Sequence, residues 1–555
     1  MHKLAMNPPD FFSSKGPENS VAFIDGRVYT MNQAQPWAEA FIVNSKGVFE
    51  AVGSNAEIKA IAKKRRLIQY QLKSKFVMPG IHDAHTHLPC GSMQRLGEAH
   101  IGFNSSSNNM AHDLEHAGCA CAYSNVMGDW IIGNFYSSEN FPDGIPDRKY
   151  LDEKYPDVPV MVREVSCHRV LLNTTGLKRV GLNRDSQAPH GGSLPRRPDG
   201  ELTGEVIEGA IGMVFLALPR TLLGYVKTAL EFAISECHRY GITSVQEASA
   251  NTLYLHAVKE LESENRLPLD ISTHIVCAPE GPALEPRERL AALLNVAEAF
   301  ESEHVHSDFV KLFLDGAPLP PNSTQSDLDE NGKPDETHLN LTFNELLDYL
   351  VQYDAKGMTC KVHVAGEGSV RRALEVMEEL RKRNPNGPQH ELAHCNAVHP
   401  DDIARFAPAR LTAEMSPAIW HFPIAATTPK LFKWPFNEML ATGAKLTIGS
   451  DWILTLNPSL FDALAHLVER IQGPNMPKPD KKAAGELLCR IITMGGAEAV
   501  GRSHIQGSIE VGKKANFIAV DRDLSAGEFA GANVLKTWFE GRQVYSSVAG
   551  EMAIA

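Results

Sequence analysis

Between about residue 80 and residue 500, two patterns of apolar positions take turns along the chain. Short apolar runs that end on polar or small residues alternate with longer stretches whose apolar residues recur at helical spacing. Leu222 to Tyr240 has the helical period and stops at Gly241, and Thr243-Ser244-Val245-Gln246 then reads as a strand. Phe343 to Tyr353 and Val370 to Arg383 are further helices, each beside another strand-like run. This alternation predicts an α/β fold whose parallel strands close into a barrel. Catalytic groups of such a barrel gather at the C-terminal ends of its strands.

The two ends of the chain read differently. Val21-Ala22-Phe23-Ile24 meets Asp25-Gly26 and then Val28-Tyr29-Thr30, a pattern that predicts a hairpin. Short strands continue through Ala40 to Val43 and Val48 to Gly53, and return in Asn516 to Val520, Val534 to Phe539 and Glu540 to Tyr545. Residues 21–79 and 505–548 are therefore expected to pair in one small β-sandwich beside a barrel over 80–504. Two segments, near 100–160 and 183–205, exceed a minimal barrel and are expected as insertions over its mouth, where loops set substrate choice. Residues 1–20, with Pro8-Pro9 and Ser13-Ser14, lack the apolar core of a secretory signal and are expected to form a flexible arm.

Several strand-like runs carry metal-ligand chemistry. Phe76-Val77-Met78 leads into Pro79-Gly80-Ile81-His82-Asp83-Ala84-His85-Thr86-His87. Residues i and i+2 of a strand share a face, so His85 and His87 can hold one ion; Asp83 shares their parity and His82 does not. An isolated His-x-His is common and decides nothing by itself. Four more residues of ligand type follow, each in or just after its own apolar run: Lys311, His363, His394 and Asp451. Nitrogen and oxygen donors of this kind suit zinc or a similar divalent ion.

Composition narrows the function. A formal net charge of -13 argues against a basic face for nucleic acid. No apolar stretch is long enough to span a membrane. The 9 cysteines are scattered and odd in number, Cys119 and Cys121 being the only close pair, which fits reduced thiols in a cytoplasmic protein. Cys395, beside His394, reads as core filler.

The ligand order and its local wording resemble the amidohydrolase superfamily of metal-dependent hydrolases. They are most similar to its YtcJ-like branch, the amidohydrolase-3 group that includes N-substituted formamide deformylases. The resemblance runs from about Val21 to about Tyr545. It includes Lys311-Leu312-Phe313-Leu314-Asp315-Gly316, Arg405-Phe406, Gly449-Ser450-Asp451 with Asn457-Pro458, and the tail Gly507 to Asp521. It departs at Ala365-Gly366-Glu367, where relatives often carry Gly-Asp, at Ala393, where they often carry Glu, and around Ala413-Glu414-Met415-Ser416-Pro417. The resemblance implies a (β/α)8 TIM-like barrel flanked by a discontinuous β-sandwich. It also implies one or two ions: His85, His87 and Asp451 on one, His363 and His394 on a second. A free ammonium has no lone pair, so Lys311 would ligate only after carboxylation by carbon dioxide to a bridging carbamate; a salt-bridging lysine beside a single ion is the alternative. Asp451 is implied as both ligand and proton acceptor.

His168, in Ser166-Cys167-His168-Arg169, falls where relatives carry a histidine and can donate to a substrate carbonyl, or be a packed or surface histidine instead. Trp130 and Trp452 can line the pocket or simply pack, and Asp315 can shape the site or a turn. Glu247 follows a strand-like run without an arguable role. The expected activity is metal-dependent hydrolysis of a carbon–nitrogen bond in a non-peptide, N-acyl or N-formyl small molecule. Ring deamination, cyclic-amide opening and decarboxylation use the same kind of site, and a silent binding relative is a further reading. The expected partner is a small-molecule substrate, not nucleic acid or membrane, with a homodimer expected by analogy with similar barrels.

Overall fold

A computed structural model of the chain describes residues 19–101, 105–118, 128–280, 283–318, 323–417, 434–471 and 480–547. The arm expected over residues 1–20, apart from Asn19 and Ser20, lies outside the described residues, as do Cys119 and Cys121. Eight parallel strands follow one another in chain order through one sheet. They are β1 (Ile81–Thr86), β2 (Ile242–Ala250), β3 (Asp270–Ala278), β4 (Val305–Phe313), β5 (Thr359–Val364), β6 (His390–His394), β7 (Leu411–Met415) and β8 (Lys445–Ile448). The edge strands meet: Thr86 bridges Trp452 in parallel, and Asp451 N donates to His85 O at 2.8 Å. The result is the expected α/β, TIM-like barrel, nearly closed.

Closure depends on a close backbone approach. A Cβ on Gly449 would overlap the His85 side chain and stand 2.8 Å from His85 Cα, so only glycine lets β8 reach β1 there. Asp83 completes the join by accepting from Ser450 N at 2.9 Å and from Ser450 Oγ at 2.6 Å. Its parity with His85 therefore serves the barrel seam.

The crossovers are helical because their apolar residues recur on one face. Helix Leu223–Arg239 buries Val226, Ala229, Leu230, Ala233, Ile234 and Cys237, and Gly241 at φ 78° turns the chain into β2. Helix Phe343–Asp354 starts on a Thr342/Glu345 capping box and leads to β5; helix Glu367–Arg383 leads to β6. No described helix is long and apolar enough to cross a membrane.

Strands from both chain ends share a six-stranded sheet in which Phe76–Pro79 lies antiparallel to Phe517–Val520. A four-stranded sheet of Val21–Ile24, Ala40–Val43, Phe49–Gly53 and Ile68–Gln71 packs on it through Phe23, Phe41, Phe49, Phe517 and Trp538. Phe517 and Trp538 stack with centroids 4.6 Å apart. The hairpin expected at Asp25-Gly26 does not form. Val21–Ile24 pairs in parallel with Ile68–Gln71, whereas Arg27–Tyr29 pairs in parallel with Phe76–Pro79 in the other sheet. Asp25, at φ 58°, marks where the chain crosses between layers. Two parallel partners outcompete one local turn.

The segments expected as two separate insertions form one layer. Ala99–His100, Ile131–Tyr136, Val160–Glu164, Arg169–Leu172, Gly192–Ser193 and Glu205–Glu208 make a six-stranded sheet, so the residues between the two segments belong to it as well.

At the opposite end of the barrel, buried charges join β3 and β4 to the sandwich. Lys514 Nζ lies 2.9 Å from Glu540 Oε1 and 3.5 Å from Asp270 Oδ1, and His304 Nδ1 lies 2.9 Å from Asp270 Oδ1. Burial alone raises the Asp270 carboxyl, but Lys514 and His304 outweigh it and hold the group well below its ordinary 3.8. Burial pulls His304 down, but Asp270 outweighs that and the ring stays charged above its ordinary 6.5. Asp270 therefore stabilises above pH 3.8 and loses its contribution as pH falls toward its folded pKa. His304 stabilises below pH 6.5 and loses its contribution as pH rises through its folded pKa. Lys514→Met leaves the buried Glu540 carboxylate without its close ammonium and weakens the hold on Asp270, and is expected to cost roughly 3–5 kcal/mol. His304→Gln should lessen the alkaline decline in thermal midpoint and retain the part of the acid decline that Lys514 supports. Calorimetry across pH reads both, and an unchanged midpoint in Lys514→Met would contradict the assignment.

Candidate active site

Each ligand-type residue stands at or just past the C-terminal end of a barrel strand, with Lys311 two residues inside the end of β4. His85 is fully buried on β1, and His87 opens helix Leu88–Gly97, with Pro89 in its first turn. His85 Nδ1 lies 2.7 Å from Glu414 Oε2 on β7. His87 Nδ1 lies 2.8 Å from Ser249 Oγ, and that hydroxyl donates to Glu247 Oε1 at 3.0 Å. In both cases the acceptor assigns the ring proton to Nδ1, which leaves the Nε2 lone pair for the cavity. Those two Nε2 atoms are 3.9 Å and 3.3 Å from Asp451 Oδ1.

The other donors lie beside this group. His394 Nδ1 is 3.9 Å from Asp451 Oδ2, and the His394 ring lies 4.5 Å from His85 and 4.4 Å from His363, centroid to centroid. His363 Nε2 is 3.5 Å from Gly316 O. Lys311 Nζ, fully buried, is 3.5 Å from His85 Nε2. Burial holds His85, His363 and His394 neutral, as imidazole ligands must be. Burial, then the Lys361 ammonium, also pushes the Lys311 amine down.

The donor set fits a divalent ion. Donors about 2.1 Å from a tetrahedral zinc lie about 3.4 Å from one another. His85, His87 and Asp451 offer atoms that all lie within 4.8 Å of one another, and so do His85, His394 and Glu414. Glu414 is already engaged by His85 Nδ1 and also accepts from His394 N at 3.2 Å, so it orients ligands rather than joining them. His394 at φ 74° and Asp451 at φ 48° hold left-handed backbone, strain that concentrates where function over-determines geometry. A third cluster, Glu303, His304 and Glu540, contains the Lys514 ammonium 2.9 Å from Glu540 and does not suit a cation.

His85, His87, His363, His394 and Asp451 floor a cavity of about 230 Å³ whose far wall comes from the inserted sheet and the segment after it: Trp130, Ile132, Arg163, His168, Glu208 and Phe215. His168 Nδ1 sits 2.9 Å from Glu208 Oε2. Burial opposes charge on that ring, but Glu208 outweighs it and the net shift is upward. Trp130 lines the cavity; Trp452 does not, because it is fully buried against Gly91. Asp315 reaches the lining, yet its carboxylate accepts from Ala365 N at 2.9 Å, Gly366 N at 3.0 Å and Ser326 N at 3.1 Å. It therefore fixes the loops after β4 and β5, and burial pushes its carboxyl up to about 7.

Sequence reasoning missed the supporting carboxylates. Glu414 and Glu247 each lie in a barrel strand within two residues of a serine they engage, Ser416 and Ser249. An acidic residue inside an apolar strand was the available signal. Glu208 carried none.

The sequence pattern of the amidohydrolase family matches residues 70–545. The N-substituted formamide deformylase of Arthrobacter pascens is 24% identical over 545 residues, covering 93% of this chain and 97% of its own. YtcJ of Bacillus subtilis (strain 168) is 24% identical over 550 residues, covering 94% and 98%. An uncharacterized metal-dependent hydrolase from Pyrococcus furiosus superposes with a TM-score of 0.67 at 20% identity, covering 91% of this chain and 100% of that one.

Glu414→Ala frees the His85 ring and removes an acceptor from the His394 backbone. It is expected to weaken metal affinity about 10–100-fold while the fold persists. Competition against a chelator measures this, and wild-type affinity in the variant would refute the orienting role.

Proposed function

The chain belongs to the amidohydrolase family, hydrolases of carbon–nitrogen bonds, and from that premise we propose that it hydrolyses the C–N bond of a non-peptide amide, an N-acyl or N-formyl small molecule. The observation that carries the reading is the gathering of four imidazoles and Asp451 on the cavity floor, with the Lys311 amine buried 3.5 Å from His85 Nε2. Zinc suits these nitrogen and oxygen donors. When bound, such an ion lowers the pKa of water and polarises a carbonyl.

The chain's own residues supply the rest. His85, His87 and Asp451 would hold one ion, and His363 and His394 a second. Asp451 also accepts a proton on a carboxylate oxygen and delivers it to the leaving nitrogen. His168, steadied by Glu208, donates from Nε2 to the carbonyl oxygen as negative charge grows there. Trp130, Ile132 and Phe215 exclude water from the reacting bond. Water adds across the amide, so one amine and one carboxylate leave for each bond broken. The depressed Lys311 amine is suited to carboxylation by carbon dioxide, which would make it an anionic ligand for a second ion. A small substrate is supported by the enclosure of the cavity under the inserted sheet, and a formamide or related amide by the name of the Arthrobacter pascens relative.

Zinc-loaded protein is expected to release amine and carboxylate in equal amounts from at least one member of a panel of N-formyl and N-acyl amides. Asp451→Asn should lower kcat by about 10²–10⁴-fold. Release of ammonia from ring amino groups with no amide turnover would overturn the reading, as would full turnover by Asp451→Asn.

A further inference from the structure

We infer that Glu208, seated against Gly316, is a positioning residue that fixes which ring nitrogen of His168 faces the substrate; the inference rests on the role given to His168 above. Glu208 ends the last strand of the inserted sheet, Glu205–Glu208, and its backbone N donates to His168 O at 3.0 Å. Its two carboxylate oxygens have separate tasks. Oε2 accepts from His168 Nδ1 at 2.9 Å. Oε1 accepts from Ala317 N at 3.3 Å and from the Thr324 hydroxyl. The carboxylate thus ties a histidine of the inserted layer to the barrel loop that follows the Lys311 strand.

Two independent features show that this placement is enforced. Glu208 holds φ at 50°, a left-handed backbone that costs a bulky residue energy and persists only where its surroundings demand it. A Cβ on Gly316 would overlap Glu208 Oε1 and the Thr324 hydroxyl and stand 2.6 Å from Glu208 Cδ. Gly316 leaves the space that the carboxylate fills. The Gly316 conformation itself does not require glycine; the neighbour does.

The chemical consequence follows from the imidazole. With its Nδ1–H committed to Glu208, the ring presents Nε2 to the cavity and cannot turn over. Without the carboxylate, the ring can flip, and the nitrogen facing the substrate is no longer defined. Glu208 touches none of the proposed metal ligands, so its loss should affect turnover and leave metal content alone.

Selective ¹⁵N-histidine labelling of the full-length protein tests this without a substrate. Wild type should show a low-field ring N–H proton that disappears in His168→Gln and so is assigned. It should also disappear in Glu208→Ala and in Gly316→Ala, and shift upfield but survive in Glu208→Gln, which keeps the size and loses the charge. Persistence of the signal unchanged in Glu208→Ala would overturn the inference.

With an amide found by the screen above, Glu208→Ala should lower kcat at least 30-fold with KM within threefold. The double variant Glu208→Ala/Gly316→Ala should be no worse than Glu208→Ala within threefold, because both act through one contact. Multiplicative losses, or a loss confined to KM, would also overturn it. If wild type turns over no amide, the proposed reaction fails while the ring signal still decides the placement of His168.

Discussion

Buried carboxylates that hold imidazoles by Nδ1 are the interaction on which this site depends. Glu414 and His85 are both fully buried and 2.7 Å apart, although 329 residues separate them in the chain. A lone carboxylate buried in this way would be costly, and so would an unpaired imidazole. Pairing satisfies both and leaves one lone pair aimed at the cavity. Glu247 does the same for His87 through Ser249. The fold is thereby committed to present nitrogen lone pairs to one another at close range, an arrangement that a cation stabilises and that empty space does not.

The barrel makes such pairing possible. Parallel strands place successive C-terminal ends side by side, so β1, β2, β6, β7 and β8 deliver His85, Glu247, His394, Glu414 and Asp451 to neighbouring positions. The close approach of Gly449 to His85 is also where the His-x-His motif of β1 meets the Asp451 turn. Closure of the barrel and assembly of the site are one structural event. The inserted layer then covers the floor, and its Trp130, Ile132 and Phe215 lower the local dielectric and strengthen the charge interactions beneath them.

Much of this was legible in the chain. The His-x-His motif marked the end of a strand, although that strand stops at Thr86 and His87 caps the next helix, and alternating periods identified the barrel and helices such as Leu223–Arg239. What failed was local reasoning applied to non-local partners. Asp25-Gly26 has the chemistry of a hairpin turn, yet Val21–Ile24 and Arg27–Tyr29 find their partners 47 and 49 residues onward, in different sheets. Trp452 follows Asp451 directly, yet Gly91 gives its ring a place in the core. Residues 160–172 carry no strong turn or insertion signal, so their strands joined the inserted sheet unannounced. Glu208 shows the limit most plainly: its partners His168 and Thr324 lie 40 and 116 residues away, and no pattern of period 2 or 3.6 links them.

The central claim is that His85, His87, His363, His394, Lys311 and Asp451 form a divalent-metal centre. Anomalous diffraction at the zinc edge, from crystals of the zinc-loaded protein, tests it most directly. The account predicts a peak about 2.0–2.2 Å from His85 Nε2, His87 Nε2 and Asp451. A protein that takes up no zinc, or a peak found only at the Glu303–His304–Glu540 cluster, would contradict it.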